Sequence, residues 1–530
     1  MQPIGLARRA LYKRRVVIQA DGMTKQRVLV IGLDAFDRTI ADELIQVGRL
    51  PNLDRIMTEG TVADVQNPYG LLTGPVWPTL ASGTGPTSHQ NWTWRQLVPG
   101  TYRKRFRGPN APSLTRPFWA ELARKGVSFV TVDVPRVCLI DDSVTRQRGR
   151  QIVGLRQHDL RDPDEFVTCP PELRAELIDR FDVLDDRCDS LRAAGRLGDL
   201  AEILNKGIDE KVSLLDELFA DEHPDLAFVV FPESHCAGHQ FFGLHLASVG
   251  GLESVELDHF GDLLAETYER LDAAIGRIIA SHGTEETNVA VVMSHGMADV
   301  IPISHLLPSV LEAIDDAMGR ASLRARARAF VERTPNRIAR ALLRAIRGDI
   351  EQLDHWVDSS RRFFSISVFP TYGAVRLNLE GREPRGRVSA AERTSTLARL
   401  EQELLELRDI DTGEPLIKVV ERSEAHYSVE PDVGLPDVMF EWAISDRIVR
   451  GARSATLGEI ISEPERYRPG NHLRDGRVVF WGPSFGFGRH EPIRAEDVAP
   501  TIAACLGHEL DDVDGRSIID PSQTRSSNRS

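Results

Sequence analysis

The sequence lacks the basic excess that nucleic-acid-binding proteins show. Its 530 residues include 65 lysines and arginines against 79 aspartates and glutamates, which gives a formal net charge of −14. A protein that neutralises the phosphates of a nucleic acid needs clustered positive charge, so we expect no nucleic-acid partner. Hydrophobic residues make up 41% of the chain and charged residues 27%, which is the composition of an ordinary globular protein.

Paired cysteines and long apolar runs are also missing. The five cysteines are scattered and no two form a Cys-x-x-Cys motif, so the sequence predicts neither a disulfide framework nor a cysteine zinc site. No apolar run reaches the roughly 18 residues that a transmembrane helix needs, and the first 22 residues contain no apolar core of signal-peptide length. Because free thiols fit a reducing compartment, we expect a cytoplasmic protein.

Short, continuous apolar runs recur along the chain, at 27–33, 127–134, 226–231, 288–293 and 478–482. Such runs are typical of strands that are buried on both faces of a parallel sheet. Between them lie stretches whose apolar residues recur at intervals of three and four, as helices require; residues 39–60 and 263–283 are two examples. The pattern predicts an α/β fold with a central, mostly parallel sheet sandwiched by helices.

We interpret residues 24–518 as one domain, with flexible tails at 1–23 and 519–530. A helical insertion at 301–362 interrupts it. From Arg320 to Arg347 this insertion carries nine arginines and one acidic residue. A basic helix can contact a membrane surface or an acidic partner, but the acidic balance of the whole chain favours a solvated helical cap.

Candidate metal ligands follow three of the predicted strands, at the point where each strand ends: Asp34, then Glu233, His235 and His239, and then Ser294 and His295. In open parallel sheets, ligands bind beyond the carboxyl ends of the strands. A single aspartate there is usually a helix cap, and a single histidine is usually part of a turn. Three strand ends that deliver Asp and His to one edge favour a zinc or manganese site.

His235 and His239 are four residues apart. On a helix this spacing places both rings on one face, which is the geometry that two histidines need to share a metal. The same spacing also fits two half-exposed residues in the first turn of a helix. The strand that precedes them favours the metal site.

The segment TGPVWPTLASGTGPTSH begins with Thr73, just before a predicted short helix. A threonine there is ordinarily an N-cap. The start of a helix is also a place where anions bind, and a hydroxyl group next to a metal is a better nucleophile toward phosphorus. Thr73 is therefore the candidate nucleophile.

Several phrases, in this order, resemble the alkaline phosphatase superfamily and its type I phosphodiesterase/nucleotide pyrophosphatase branch. They are VLVIGLDAFD, GRLPNLDRIMTEG, TGPVWPTLASGTGPTSH, PFWAELARKGVSFVTVDVP, RLNLEGREPRGRV, GNHLRDGRVVFWGP and EDVAPTIAACLG followed by DGRSI. Thr73 stands ten residues before Gly83, as the family nucleophile does before its glycine. The resemblance covers residues 27–518 and is weakest at 301–362.

The resemblance implies a site for two divalent ions. The positions that match the family ligands of one ion hold His472, His235 and His239. The positions that match those of the other ion hold Asp34, Thr73, Ser294 and His295. Thr73 matches the family nucleophile.

Two of these positions depart from the family pattern, because His235 and Ser294 stand where aspartates are expected. Both changes remove a carboxylate, so the second ion should bind less tightly. Glu233 or Asp299 could compensate. Three histidines are themselves a set that holds zinc and leaves a coordination position open. We therefore expect zinc or manganese, as one or two ions.

The resemblance implies a metal-dependent hydrolase of small phosphate esters, with phosphodiester or pyrophosphate bonds as substrates. Val76 stands where nucleotide pyrophosphatases often carry an asparagine, and no sulfatase-type context surrounds Thr73. Two alternatives stay open. One is a degenerate member that binds an anionic ligand, a metal or a partner without turnover. The other is a transferase that passes a phosphate- or sulfate-bearing group to an acceptor other than water.

Overall fold

The computed structural model describes residues 26–519, apart from 72, 107–114, 156–165, 179, 181–186, 221–222, 243–262, 320–354, 357–358, 369, 429–431, 446 and 463–469. The predicted tail at 1–23 and nearly all of the tail at 519–530 lie outside the described residues. So do residues 320–354, the arginine-rich part of the predicted insertion. The predictions for these segments stay predictions.

The strands, in chain order, are β1 Arg27–Leu33, β2 Thr61–Gln66, β3 Arg95–Leu97, β4 Arg103–Phe106, β5 Phe129–Val132, β6 Gly149–Val153, β7 Val167–Cys169, β8 Leu226–Phe231, β9 Thr287–Met293, β10 Met297–Asp299, β11 His355–Trp356, β12 Phe363–Val368, β13 Tyr372–Leu377, β14 Arg408–Asp409, β15 Ile417–Arg422, β16 Val438–Trp442, β17 Gly451–Ser454, β18 Gly458–Ile461, β19 Gly470–His472, β20 Gly476–Trp481, β21 Gly488–Arg489 and β22 Ile493–Arg494.

The helices are α1 Arg38–Gln46, α2 Pro51–Glu59, α3 Val76–Ser82, α4 Pro86–His89, α5 Phe118–Arg124, α6 Ser143–Arg148, α7 Glu172–Ile178, α8 Arg187–Ala193, α9 Leu197–Leu218, α10 Glu233–Phe241, α11 Leu263–His282, α12 Leu307–Ala317, α13 Arg393–Leu405 and α14 Val498–Cys505. Short 3₁₀ turns occur at Ser304–Leu306, Ser423–Ala425 and Ala495–Asp497.

The largest sheet has ten strands in the order β21-β2-β20-β9-β1-β8-β5-β6-β7, with β22 also paired to β2. β1 lies between β9 and β8 and runs parallel to both. β20 runs antiparallel to β2 and β9, and β7 runs antiparallel to β6. The predicted α/β class with a mostly parallel sheet is confirmed, and the predicted strand at 478–482 corresponds to the antiparallel β20.

Both faces of the sheet are covered, as the side chains of β1 show. Leu29, Ile31 and Leu33 pack in a core to which α9, α10 and α11 contribute. Val28 and Val30 face the opposite core, to which α3, α5 and α14 contribute. Because side chains alternate along a strand, a strand that is apolar throughout needs helices on both faces.

The helix predicted across residues 39–60 is two helices, α1 and α2. The chain leaves the helical conformation at Gly48, which adopts φ 78°, a left-handed conformation that favours glycine. Pro51 then opens α2 at its first position, where the missing N–H costs nothing. The helical periodicity continues through this turn, so periodicity alone did not separate the two helices.

A second core lies beside a four-stranded antiparallel sheet of order β12-β13-β16-β15. Leu307, Leu311 and Ile314 of α12 are buried in it, together with Phe363 and Leu377 of the sheet. The described beginning of the predicted insertion is therefore part of a packed core, and the domain boundaries stay a prediction.

Asp37 connects two loops at the carboxyl edge of the large sheet. Its Oδ1 accepts hydrogen bonds from the N–H groups of Thr39 and Ile40 and so caps α1. Its Oδ2 accepts a bond of 3.1 Å from the N–H of Met297, and its own N–H donates to the Tyr268 hydroxyl. The loop after β1 is thus held against the loop after β9.

We predict that Asp37→Asn lowers the free energy of unfolding by about 1–3 kcal/mol, because the Met297 N–H loses a buried acceptor. An asparagine still caps a helix, so Asp37→Ala, which loses the cap as well, should cost more. Urea denaturation of the two variants and the wild type measures this. If both variants unfold with the wild-type midpoint, Asp37 does not connect these loops.

Candidate metal centre

Three neighbouring strands end at the same level of the sheet. Leu33 pairs with Phe231 of β8 and with Met293 of β9. The N–H of Asp34 donates to the Phe231 carbonyl, and the N–H of Ser294 donates to the Leu33 carbonyl, both at 3.1 Å. The residues that follow these strands therefore lie side by side.

Three histidines converge above these strand ends, and we call them the histidine triad: His235, His239 and His472. The first two lie one turn apart on α10, with their Nε2 atoms 2.9 Å apart. His472 ends β19, where it pairs with Met297 of β10. One ring nitrogen from each histidine lies within 4.8 Å of the other two. The side chain of His235 is 12% exposed to solvent.

Asp34 forms a second group with Ser294 and His295, which we call the Asp–Ser–His trio. Asp34 Oδ1 accepts a hydrogen bond of 2.7 Å from Trp77 Nε1 and one of 3.0 Å from Ser294 Oγ. Its Oδ2 lies 2.9 Å from His235 Nδ1. Burial raises the pKa of the Asp34 carboxyl, but the charge and the hydrogen bond of His235 outweigh it and hold the pKa well below its usual range.

His295 joins the two groups. Its Nδ1 lies 2.9 Å from Ser294 Oγ, and its Nε2 lies 3.1 Å from His472 Nδ1. Burial lowers the pKa of His295 to about 4, although Asp34 opposes the shift. The ring is therefore neutral at pH 7, and one of its nitrogens accepts a hydrogen bond while the other donates.

The structure brings six predicted ligands into one hydrogen-bonded cluster, namely the histidine triad and the Asp–Ser–His trio. Glu233 is buried, and its carboxylate lies 3.6 Å from the ammonium group of Lys211. Asp299 ends β10, opposite Gly470. The roles assigned to all these residues stay predictions.

Thr73 is half-buried in the turn before α3. Its carbonyl accepts a hydrogen bond of 3.3 Å from the N–H of Val76. One turn further on, Trp77 connects α3 to the six-residue cluster through its bond to Asp34. The candidate nucleophile is thus attached to the helix that the Asp34 carboxylate holds.

Two residues that support the cluster were not predicted. Trp77 donates to Asp34, and the Gly470 carbonyl accepts a bond of 2.8 Å from His239 Nδ1. A buried indole N–H usually finds an acceptor, but sequence spacing does not identify which one. The Gly470 contact is made by a backbone atom, so the side-chain types gave no signal for it.

The donors present fit a divalent metal. Three imidazoles are a known ligand set for zinc, and they leave a position open for water or substrate. Nitrogen ligands of this kind also suit other transition metals. The histidine triad is therefore the part of the cluster that would hold an ion.

The mostly parallel sheet carries this cluster at its carboxyl edge, which is the arrangement that the resemblance to the alkaline phosphatase superfamily implies. The sequence profile described as "Type I phosphodiesterase / nucleotide pyrophosphatase" matches residues 28–444, and the chain belongs to that family. The predicted resemblance is confirmed. The family comprises metal-dependent enzymes that act on small phosphate esters, and membership supports phosphate-ester hydrolysis at the level of the family.

The solved structures found by comparison include murine and human ectonucleotide pyrophosphatase/phosphodiesterase 5. The murine protein is 12% identical, with a TM-score of 0.47 over 94% of this chain and 99% of that one. An inactive variant of the murine protein in complex with AMP is 13% identical, with a TM-score of 0.46 over 95% of this chain and 99% of that one. The human protein is 13% identical, with a TM-score of 0.45 over 92% of this chain and 97% of that one.

A search of curated proteins found no match to this chain. Among the helices in the described part of the chain, none combines the length and the apolar character that crossing a membrane requires.

Gly470 lies very close to α10, and this contact generates a prediction. A Cβ on Gly470 would lie 1.9 Å from the Gly238 carbonyl oxygen, whereas a Cβ on Gly238 would meet the end of the flexible Met297 side chain at 2.8 Å. We predict that Gly470→Ala displaces β19 from α10, lowers the free energy of unfolding by about 1–3 kcal/mol or more, and weakens zinc binding.

Gly238→Ala is the matched control. Alanine favours a helix by about 1 kcal/mol over glycine, and the Met297 side chain can move, so this variant should stay near wild type. Thermal unfolding and zinc titration measure both effects. Equal behaviour of the two variants would show that the Gly470–Gly238 approach does not position the histidines.

Proposed function

We propose that this chain hydrolyses phosphodiester or pyrophosphate bonds with Thr73 as the nucleophile and with a divalent metal held by the histidine triad. The observation that carries the proposal is the six-residue cluster that forms where three adjacent strands end and His472 of β19 meets them. Family membership supports the reaction class. The cytoplasmic location stays a prediction.

The position of Thr73 just before α3 supports this role. The helix begins three residues later, and Trp77 fixes it to Asp34. The bond from Thr73 Oγ1 to phosphorus would form as the bond to the leaving oxygen breaks, and the hydroxyl proton of Thr73 would pass through solvent to the leaving oxygen. Water would then break the Oγ1–phosphorus bond, with its oxygen going to phosphorus and a proton returning to Oγ1. Because the buried carboxylate holds α3, the turn before this helix would be set before substrate arrives.

A divalent ion on the histidine triad would supply positive charge that stabilises the phosphoryl oxygens and lowers the pKa of a hydroxyl group beside it. The chain supplies the rest. Asp34 keeps its negative charge, because its pKa is held low. The burial of the cluster strengthens each electrostatic contact relative to the same contact in water.

We predict that Thr73→Ala lowers kcat for the best ester at least about 1,000-fold, because removal of a nucleophile leaves only binding and electrostatic catalysis. The panel is p-nitrophenyl phosphate, bis-p-nitrophenyl phosphate and a sulfate ester, each with added zinc or manganese. The diester should be cleaved fastest.

Thr87→Ala is the control for this experiment, since Thr87 is another half-buried threonine on the same segment. It should keep the wild-type rate, and Thr73→Ser should keep part of it. A wild-type rate in Thr73→Ala would refute the nucleophile assignment. Absence of turnover on every ester, in protein that contains metal, would refute the hydrolase.

One observation favours a second candidate, a family member that binds an ion without turnover. Asp34 supplies the carboxylate of the six-residue cluster, whereas the family pattern expects aspartates also at positions 235 and 294. Fewer negative charges bind metal less tightly and activate a nucleophile less. Stoichiometric metal with no hydrolysis of any ester in the panel would establish this candidate.

A further inference from the structure

We infer that this site holds a single divalent ion on the Nε2 atoms of the histidine triad. The members of the Asp–Ser–His trio, which the family resemblance assigns to a second ion, act here as positioning residues. This inference rests on the metal-binding part of the proposed function and is independent of turnover.

The hydrogen bond at Nδ1 of each triad histidine determines which of its ring nitrogens carries the proton. His235 Nδ1 faces Asp34 Oδ2 at 2.9 Å, and His239 Nδ1 faces the Gly470 carbonyl at 2.8 Å. A carboxylate and a carbonyl oxygen can only accept, so both Nδ1 atoms carry the proton. In a neutral ring, the lone pair is then on Nε2.

The tautomer of the third histidine, His472, is set through the hydroxyl of Ser294. This hydroxyl accepts a hydrogen bond from the Ala35 N–H at 3.1 Å and donates one to Asp34 Oδ1 at 3.0 Å. A hydroxyl has one proton, so in its contact with His295 Nδ1 the serine must accept. His295 Nε2 then accepts in turn from His472 Nδ1, which leaves the lone pair of His472 on Nε2.

All three rings are therefore set in the same tautomer. The Nε2 atoms of His235 and His239, which both carry lone pairs, lie 2.9 Å apart. Two lone pairs at this distance repel, so the contact needs either a proton that the two nitrogens share or a metal ion that displaces this proton when it binds. Histidine ligands in metal sites commonly hold their other nitrogen by a carboxylate or a carbonyl, which fixes the ring and raises its basicity.

The trio has little capacity left for a second ion. The Ser294 hydroxyl uses its one proton and two lone pairs on Ala35, Asp34 and His295. Both nitrogens of His295 are hydrogen-bonded within the cluster. Asp34 accepts three hydrogen bonds, from Trp77, Ser294 and His235. A second ion would have to break several of these contacts.

The net charge of the cluster also favours one ion over two. Asp34 carries one negative charge in the cluster, so one divalent ion leaves one net positive charge and two ions leave three. A buried charge that is not paired costs several kcal/mol in proteins. The two aspartates expected by the family pattern would offset the second ion, and His235 and Ser294 do not.

The test counts metal rather than turnover. Full-length protein stripped with a chelator is titrated with Zn²⁺ by calorimetry, and bound metal is counted by mass spectrometry. We expect one ion per chain in the wild type. Asp34→Asn and Ser294→Ala should still bind one ion, with about 10–100-fold weaker affinity, because loss of such supporting contacts has that effect.

Two further variants complete the experiment. His239→Ala should lose stoichiometric binding, and His490→Ala, which changes an exposed histidine at the outer strands of the sheet, should bind as the wild type does. Co²⁺-loaded wild type and Ser294→Ala should both show the intense visible absorption of four-coordinate cobalt. If Asp34→Asn fails to fold by circular dichroism, Ser294→Ala still provides the test.

Two zinc ions per wild-type chain, with one lost in Asp34→Asn or Ser294→Ala, would overturn the inference. Such a result together with ester hydrolysis would leave the proposed function standing. One ion per chain without hydrolysis of any ester would remove the proposed function and leave the inference standing. The failures of the two proposals are therefore distinguishable.

Discussion

The contact between the Asp34 carboxylate and the His235 ring is the interaction on which the rest of the site depends. The carboxylate lies at the end of the central strand β1 and accepts bonds from three different elements: α3 through Trp77, the loop after β9 through Ser294, and α10 through His235. A buried carboxylate is stable only when its acceptors are satisfied. Asp34 therefore fixes α3, α10 and the loop after β9 relative to one another.

Much of this arrangement could be predicted from the sequence, for identifiable reasons. Continuous apolar runs identified β1, β8 and β9, and parallel strands place their ends at one edge, so Asp34, His235 and Ser294 were expected to meet. The supporting residues that were not predicted have partners that lie far away in the sequence. Trp77 and Gly470 support the cluster through contacts that depend on how α3 and β19 pack, and neither the spacing nor the residue type reports that packing. The break at Gly48 was missed because the helical periodicity continues across it.

The two departures from the family pattern belong to one structural change. A histidine at position 235 needs an acceptor for its Nδ1 proton, and Asp34 supplies it. A serine at position 294 can accept from His295 while it donates to Asp34. The aspartate that the family resemblance assigns to a metal thus becomes an acceptor for the residues around it. We propose that, in this chain, the loss of two carboxylates turns residues that the resemblance assigns to a second ion into supports for the first.

A zinc-soaked crystal, measured with X-rays on either side of the zinc absorption edge, tests this account most directly, because anomalous scattering locates each ion without reference to activity. The account predicts one anomalous peak, within bonding distance of the Nε2 atoms of His235, His239 and His472, with Asp34 still bonded to His235. A second peak of comparable height bound by Asp34, Ser294 and His295 would contradict it.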